Sequence, residues 1–224
     1  VARREEPGAE VTRLPPGRHG LSRDAVAESQ RERLLNAVVE AVAKHGYNET
    51  TIGQLIEAAS VSRRTFYELF DDKEELALAA HAMIVEHLRG ALDEAAADVE
   101  ADAWPQRVRD ELATLLRIFA GDPTIARFLL LESLAAGGTV AESQREALRC
   151  FAARLRPRPV EPGDQLAGAR EQALVGGIST LVARRLKGGS AAGIDELLPD
   201  LHELVLTSYL GRTEAKRLAR ASAA

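Results

Sequence analysis

Thr51-Ile-Gly-Gln-Leu-Ile-Glu-Ala-Ala-Ser-Val-Ser-Arg-Arg-Thr-Phe-Tyr-Glu-Leu-Phe70, followed by Asp71-Asp-Lys-Glu-Glu-Leu76, decides how this chain folds. Thr51 with Gln54 three residues on makes a capping box, in which each side chain satisfies a free backbone N–H of a first helical turn. Ile52, Leu55, Ile56 and Ala59 recur at helical spacing and form one apolar face. Ser60-Val61-Ser62 interrupts the run. Ser62 is a favourable N-cap for a second helix, whose Phe66, Leu69 and Phe70 face inward. Asp72 with Glu75 makes a further capping box and opens a helix at Lys73. Short helices capped this closely cross at an angle around a small core, which is the helix-turn-helix arrangement.

The outward face of the second helix carries the chemistry. Arg63 and Arg64 lie in its first turn, the part that reaches base edges when such a helix enters the DNA major groove. A guanidinium fork can bond the O6 and N7 of guanine together, whereas a lysine is a point charge better suited to phosphate. Thr65 suits a thymine methyl or a phosphate, and the Tyr67 hydroxyl suits a phosphate. Lys73 sits at a helix start, where free N–H groups favour an anion. Either arginine taken alone reads equally well as a solvated surface residue. The caps and the Thr65-Phe66-Tyr67 run around the pair favour the DNA reader.

Upstream, a helix beginning after Ser22 carries Val26, Leu34, Val38, Ala41 and Val42 on one side. It ends at His45-Gly46, where glycine is the expected terminator. Residues 1–21 form a flexible arm broken by prolines and glycines, with Arg13, Arg18 and His19 giving it basic character. Arg18 is the arm's candidate for a minor-groove contact, beside the plainer reading of a solvated tail. Downstream, a helix from Lys73 to about Ala97 links the two halves of the chain through an inward stripe of Leu76, Met83, Ile84 and Leu88.

Gly46-Tyr47, Thr50-Thr51-Ile52, Val61-Ser62-Arg63-Arg64-Thr65-Phe66-Tyr67, Phe70 and Lys73-Glu74-Glu75-Leu76 together resemble the signature of the tetracycline-repressor (TetR) family, over about Gln30 to Leu78. The resemblance implies an all-α homodimer with an N-terminal DNA-binding domain and a C-terminal domain for ligand binding and dimerisation. It implies a repressor released from a palindromic operator by a small molecule, with DNA contacts at Thr51, Ser62, Arg63, Thr65, Tyr67 and Lys73. Two positions depart from the pattern. The turn reads Ala59-Ser60 where the family has Ala-Gly, so the left-handed conformation that glycine favours is either strained or replaced. Gly53 stands where the family often has a polar or basic residue, and it offers DNA only a backbone N–H.

This gives an all-α chain with a helix-turn-helix domain over 22–80, a ligand-binding and dimerisation domain over 81–213, and a C-terminal tail over 214–224. In the second domain Trp104-Pro105 opens a helix to about Ala120, with Val108, Leu112, Leu115, Leu116 and Phe119 inward. Gly121-Asp122-Pro123 ends it and starts the next, which runs to Gly137-Gly138. Another helix covers about Val140 to Arg154, before a proline-rich break from Arg156 to Gly163. These helices and the linking one are expected to enclose an apolar cavity, with His81, Met83, His87, Trp104, Phe119, Phe128 and Phe151 as candidate lining residues. Core packing is the competing reading for each. The last two helices, about Gln165 to Leu186 and Asp195 to Leu210, suggest an association surface. Leu174, Gly177, Ile178, Leu181, Leu201, Leu204 and Val205 would pair with their copies in a four-helix bundle. A twofold protein suits a palindrome whose half-sites lie about 34–36 Å apart.

Composition narrows the function classes. Aromatics are scarce at 4%, so Leu, Val and Ala must fill the interior. The formal net charge of −5 lacks the basic excess of a non-specific nucleic-acid binder and points to local placement of positive charge. A lone cysteine, Cys150, excludes an intramolecular disulfide and suits a reducing cytoplasm. The scattered histidines make no zinc pattern, and no phosphate loop or nucleophile elbow appears, so neither a cofactor nor an enzymatic activity is expected. Expected partners are double-stranded DNA, a second copy of the chain and a small-molecule effector, with no membrane. The alternative is a ligand-independent DNA-binding protein whose C-terminal domain only dimerises or binds another protein.

Overall fold

Local capping builds the first half of the molecule. A computed structural model describes residues 22–100, 103–157, 168–188 and 193–221, and these residues form helices without a strand. Helix α1 (Arg23–His45) starts on the Ser22 hydroxyl and stops at Gly46, whose φ of 87° is one that side-chain-bearing residues rarely adopt. The Thr51–Gln54 capping box opens α2 (Ile52–Ala59). Ser62 caps α3 (Arg63–Leu69), and Asp72 caps α4 (Lys73–Ala96). The Glu75 carboxylate reaches the N–H of Asp71 rather than that of Asp72, so this last box closes one residue early.

Leu34, Val38, Leu55, Phe66, Phe70 and Leu76 meet beneath these caps and are essentially inaccessible to solvent. Taking each large side chain out of water contributes on the order of 1.5–3 kcal/mol, which is what holds helices too short to persist alone.

The second half is a bundle of α5 (Trp104–Gly121), α6 (Pro123–Arg127), α7 (Ser133–Ala135), α8 (Gly138–Arg154), α9 (Ala169–Lys187), α10 (Leu198–Leu210) and α11 (Arg212–Ala221). Asp122 caps α6 with Pro123 at its first position, as the sequence indicates. A π-helical turn, Phe128–Glu132, joins α6 to α7. There the Ser133 N–H reaches back five residues to the Phe128 carbonyl, and the Ser133 hydroxyl donates to the same oxygen at 2.8 Å. The expected tail is largely helix: α11 begins at Arg212 and buries Ala215. Residues 1–21 and most of the proline-rich break lie outside the described residues. No helix among the described residues is long and apolar enough to cross a membrane.

Polar ties join the halves. The Glu132 carboxylate accepts from the Tyr47 N–H at 3.2 Å, and Arg127 donates from Nε to the Ala43 carbonyl at 3.2 Å. Glu74 at the start of α4 accepts from the N–H and hydroxyl of Thr139 at the start of α8.

Candidate DNA interface and effector cavity

In α3, Phe66 is fully buried while its neighbour Tyr67 is half exposed, their rings meeting edge to face at 5.3 Å. Arg63 and Arg64 are exposed in the first turn. Arg64 is bound to Glu68 at 2.8 Å, whereas Arg63 has no ion pair among the described residues. Arg63 is therefore the cation most available to a base edge. Ser62 accepts from the Thr65 N–H, and the two hydroxyls lie 2.9 Å apart, which fixes both side chains at the helix start. Thr51 is exposed at the start of α2, with its hydroxyl on Gln54.

Lys73 is engaged inside the fold. Its Nζ donates to the carbonyls of Tyr47 at 2.7 Å and Thr50 at 2.9 Å, and lies over the Tyr47 ring at 4.3 Å. Its side chain thus ties down the loop between α1 and α2, leaving one N–H for any outer contact. Arg18 lies outside the described residues.

The turn before α3 keeps the left-handed form despite lacking glycine. Ser60 has φ 52° and ψ 47°, and is the sole non-glycine with positive φ among the described residues. The Val61 N–H reaches the Ile56 carbonyl and the Ser60 N–H reaches that of Glu57, which is a Schellman ending. Sequence reasoning did not single out Arg33, which secures this turn. Its Nη1 donates to the Ala59 carbonyl at 2.7 Å and the Ser60 carbonyl at 3.3 Å. The signal was too distant to read, since Arg33 and Ala59 are 26 residues apart.

A cavity of about 760 Å³ of empty space, part of it open to solvent, lies between α4, α5, the π turn, α8 and α9. Leu88, Phe119, Leu129, Phe151 and Ile178 are among its apolar walls, and Gln144, Glu111, Arg154 and Ser179 are its polar groups. Of the expected lining residues, Phe119 and Phe151 are present. Met83 and His87 are exposed on the outer side of α4, so the inward stripe of that helix excludes Met83. Phe128 is buried in the core through the π turn. Trp104 is buried between α5 and α10, with its Nε1 donating to the Leu155 carbonyl and its ring against Tyr209. His81 is also buried and reaches the cavity only through Gln144, 2.7 Å from its Nε2. Burial lowers the His81 pKa, although the Gln144 contact opposes it.

Inside the bundle, charges are paired. Glu111 Oε1 accepts from Arg154 at 3.0 Å and Arg107 at 3.4 Å. Glu171 accepts from Tyr209, Arg156 and the Gly168 N–H. Burial works against its ionisation, but these bonds prevail and hold its carboxyl at about 2.

The residues expected at an association surface differ in exposure. Leu174, Ile178, Leu201 and Val205 are buried within the subunit and cannot form one. Leu181 and Leu204 are exposed, Gly177 is half-buried, and Gly176 is exposed. Beyond the helix's own backbone and the adjoining residues, no heavy atom lies within 4 Å of where a Cβ would stand on either glycine, so packing against the rest of the subunit does not require them. The error lay in giving both faces of α9 and α10 to one partner, when the inner face is needed for the subunit's own core.

Residues 34–80 match the family model for "Bacterial regulatory proteins, tetR family". The chain is 37% identical over 82 residues to the HTH-type transcriptional regulator TcmR of Streptomyces glaucescens, covering 37% of this chain and 36% of that relative. The match thus spans about a third of the relative's length. Among solved structures, the fatty acid degradation regulator FadR of Bacillus halodurans aligns with a TM-score of 0.68 at 16% identity, over 79% of this chain and 94% of that one. FadR of Bacillus subtilis, solved in complex with stearoyl-CoA, aligns at 0.63 with 16% identity, over 79% and 98%. Full-length native tylp, a tetR regulator from Streptomyces fradiae, aligns at 0.62 with 21% identity, over 88% and 92%. At these identities the likeness is one of fold.

Proposed function

We propose that this chain, whose N-terminal helix-turn-helix belongs to the tetR family of bacterial regulatory proteins, is a repressor that grips a palindromic operator as a homodimer and releases it when a small, mainly apolar effector binds. The observation that carries this reading is α3: Arg63, Thr65 and Tyr67 project from a helix anchored beneath by a fully buried Phe66. A helix held this rigidly can keep side chains in register with a groove. Thr51, Ser62 and Arg64 flank this set, with Lys73 behind it. The basic arm with Arg18 adds a minor-groove contact, and deleting residues 1–20 should weaken operator binding in a gel shift.

Leu181, Leu204 and the bare backbone at Gly176 and Gly177 form the dimer surface, where small residues let helices approach closely. The cavity is the effector site, and the stearoyl-CoA bound by Bacillus subtilis FadR shows that a protein of this fold can hold a ligand with a long apolar chain. Effector binding acts by preferring one arrangement of α4 and the π turn over another, which displaces the two α3 helices from the groove.

Selection of bound DNA from a random pool tests this reading. A twofold-symmetric consensus is expected, with Arg63→Ala weakening binding at least about tenfold. An isolated half-site bound as tightly as the full palindrome, or a monomer in ultracentrifugation at micromolar concentration, would overturn it.

A further inference from the structure

Gln144 on α8 is 3% exposed, and it lines the cavity. Its Oε1 is occupied by His81 Nε2 at 2.7 Å. The other ring nitrogen, Nδ1, lies 3.1 Å from the Ser143 hydroxyl. One neutral tautomer satisfies both contacts: Nε2–H donates to Gln144 and Nδ1 accepts from Ser143. The Gln144 amide nitrogen has no partner among the described residues, although it belongs to a side chain almost wholly withdrawn from water. A carboxamide carries two N–H donors, and a ligand oxygen entering the cavity can accept from them.

The other polar groups in the wall narrow the ligand further. Arg154 is the cation of the lining; its Nη2 is bound to Glu111 at 3.0 Å and its Nη1 to Asp93 at 2.6 Å, while its Nε is buried without a partner among the described residues. A carboxylate drawn into this space would find the charge of Arg154 already offset by two carboxylates, and burying an uncompensated anion is costly. A neutral acceptor meets no such penalty.

We infer that the cavity is specific for an uncharged, mainly apolar molecule bearing a hydrogen-bond-accepting oxygen, such as a ketone, ester or amide carbonyl, and that Gln144 is the side chain that recognises it. This rests on reading the cavity as the effector site. Because Gln144 is bound to His81 of α4, the group that reads the ligand is joined directly to the helix that carries the DNA-binding domain.

The test uses the full chain without DNA, so its outcome is independent of operator binding. Butyrophenone, butylbenzene and phenylbutyrate share a similar skeleton and differ in offering a carbonyl, no polar group or a carboxylate. Isothermal titration should rank the ketone about tenfold above the hydrocarbon, one neutral hydrogen bond's worth, with the carboxylate weakest. In heteronuclear NMR the Gln144 side-chain amide should move downfield with the ketone alone. Gln144→Glu, which keeps an acceptor for His81 but loses the donors, should abolish the ketone's advantage. Equal affinity for ketone and hydrocarbon, a preference for the carboxylate, an unmoved Gln144 amide, or no binding of any probe would each overturn the inference. None of those results would bear on a twofold-symmetric DNA consensus, so the two readings fail separately.

Discussion

The segment from Thr51 to Leu76 and the helices around the cavity both set a few polar groups on a helical scaffold, but by opposite means. In the first, polar side chains stand in water above a buried apolar layer, and their positions are set by caps three residues away. In the second, polar groups are buried and held by partners dozens of residues distant, such as Gln144 with His81 or Glu171 with Tyr209. Exposed groups are inexpensive to place and can be exchanged singly. Buried groups are coupled, since removing one strands its partner.

The sharpest way to break the contrast is within α3. Phe66→Ala should cost about 3–5 kcal/mol in urea unfolding, because a fully buried ring leaves a cavity. Tyr67→Ala, one residue on, should cost only about 1 kcal/mol through its edge-to-face contact with Phe66, yet lower operator affinity. Equal stability losses from the two would show that the exposed layer is structural after all.

The buried network gives the next effect. Its carboxyl held at about 2 against an ordinary 4.5, Glu171 contributes stability that is complete above pH 4.5 and drains as pH falls toward 2. Glu171→Gln should lower neutral-pH stability by about 2 kcal/mol and flatten that acid slope, read by unfolding at stepped pH. An unchanged slope would mean that Glu171 is not held by its partners.

Smaller effects belong to the exposed region. Ser60→Gly should gain about 1 kcal/mol by removing left-handed strain. The gain should differ in an Arg33→Met background, since Arg33 bonds the same turn and the two sites cannot be additive. Gly53→Ala should gain about 0.5 kcal/mol, as a Cβ there meets only the Thr51 hydroxyl at an ordinary 3.7 Å. Thermal unfolding resolves both, and a loss at Gly53 would mean its bare backbone is required.

The same contrast explains what could be read from the chain alone. Thr51, Ser62 and Asp72 announce their helices because a cap and the group it satisfies lie within one turn. Phe66 and Phe70 are legible by period. The cavity was legible only in part: an apolar space among the helices from α4 onward was expected, and Phe119 and Phe151 line it, but Met83, His87, Trp104 and Phe128 do not, because helical period identifies an apolar face and not which neighbour that face meets. Leu174, Ile178, Leu201 and Val205 were assigned to a partner for the same reason. Arg33 and Lys73 act on carbonyls at least 23 residues away, a separation that leaves no local pattern. The π turn also lacks a local signature, since its leucines would serve an ordinary helix equally well.

That turn has a genealogical consequence. A π turn amounts to one residue inserted into an α-helix, so everything beyond it is rotated by about 100° from where an uninterrupted helix would put it. Here the rotation lets one short stretch present Leu129 and Leu130 to the cavity and Glu132 to the Tyr47 N–H. Loss of a single codon between them would leave the leucines facing the cavity and swing Glu132 off the loop it holds. A lineage could therefore separate the cavity from the loop beside the helix-turn-helix, or restore the link, by one in-frame deletion or insertion without altering any residue of either.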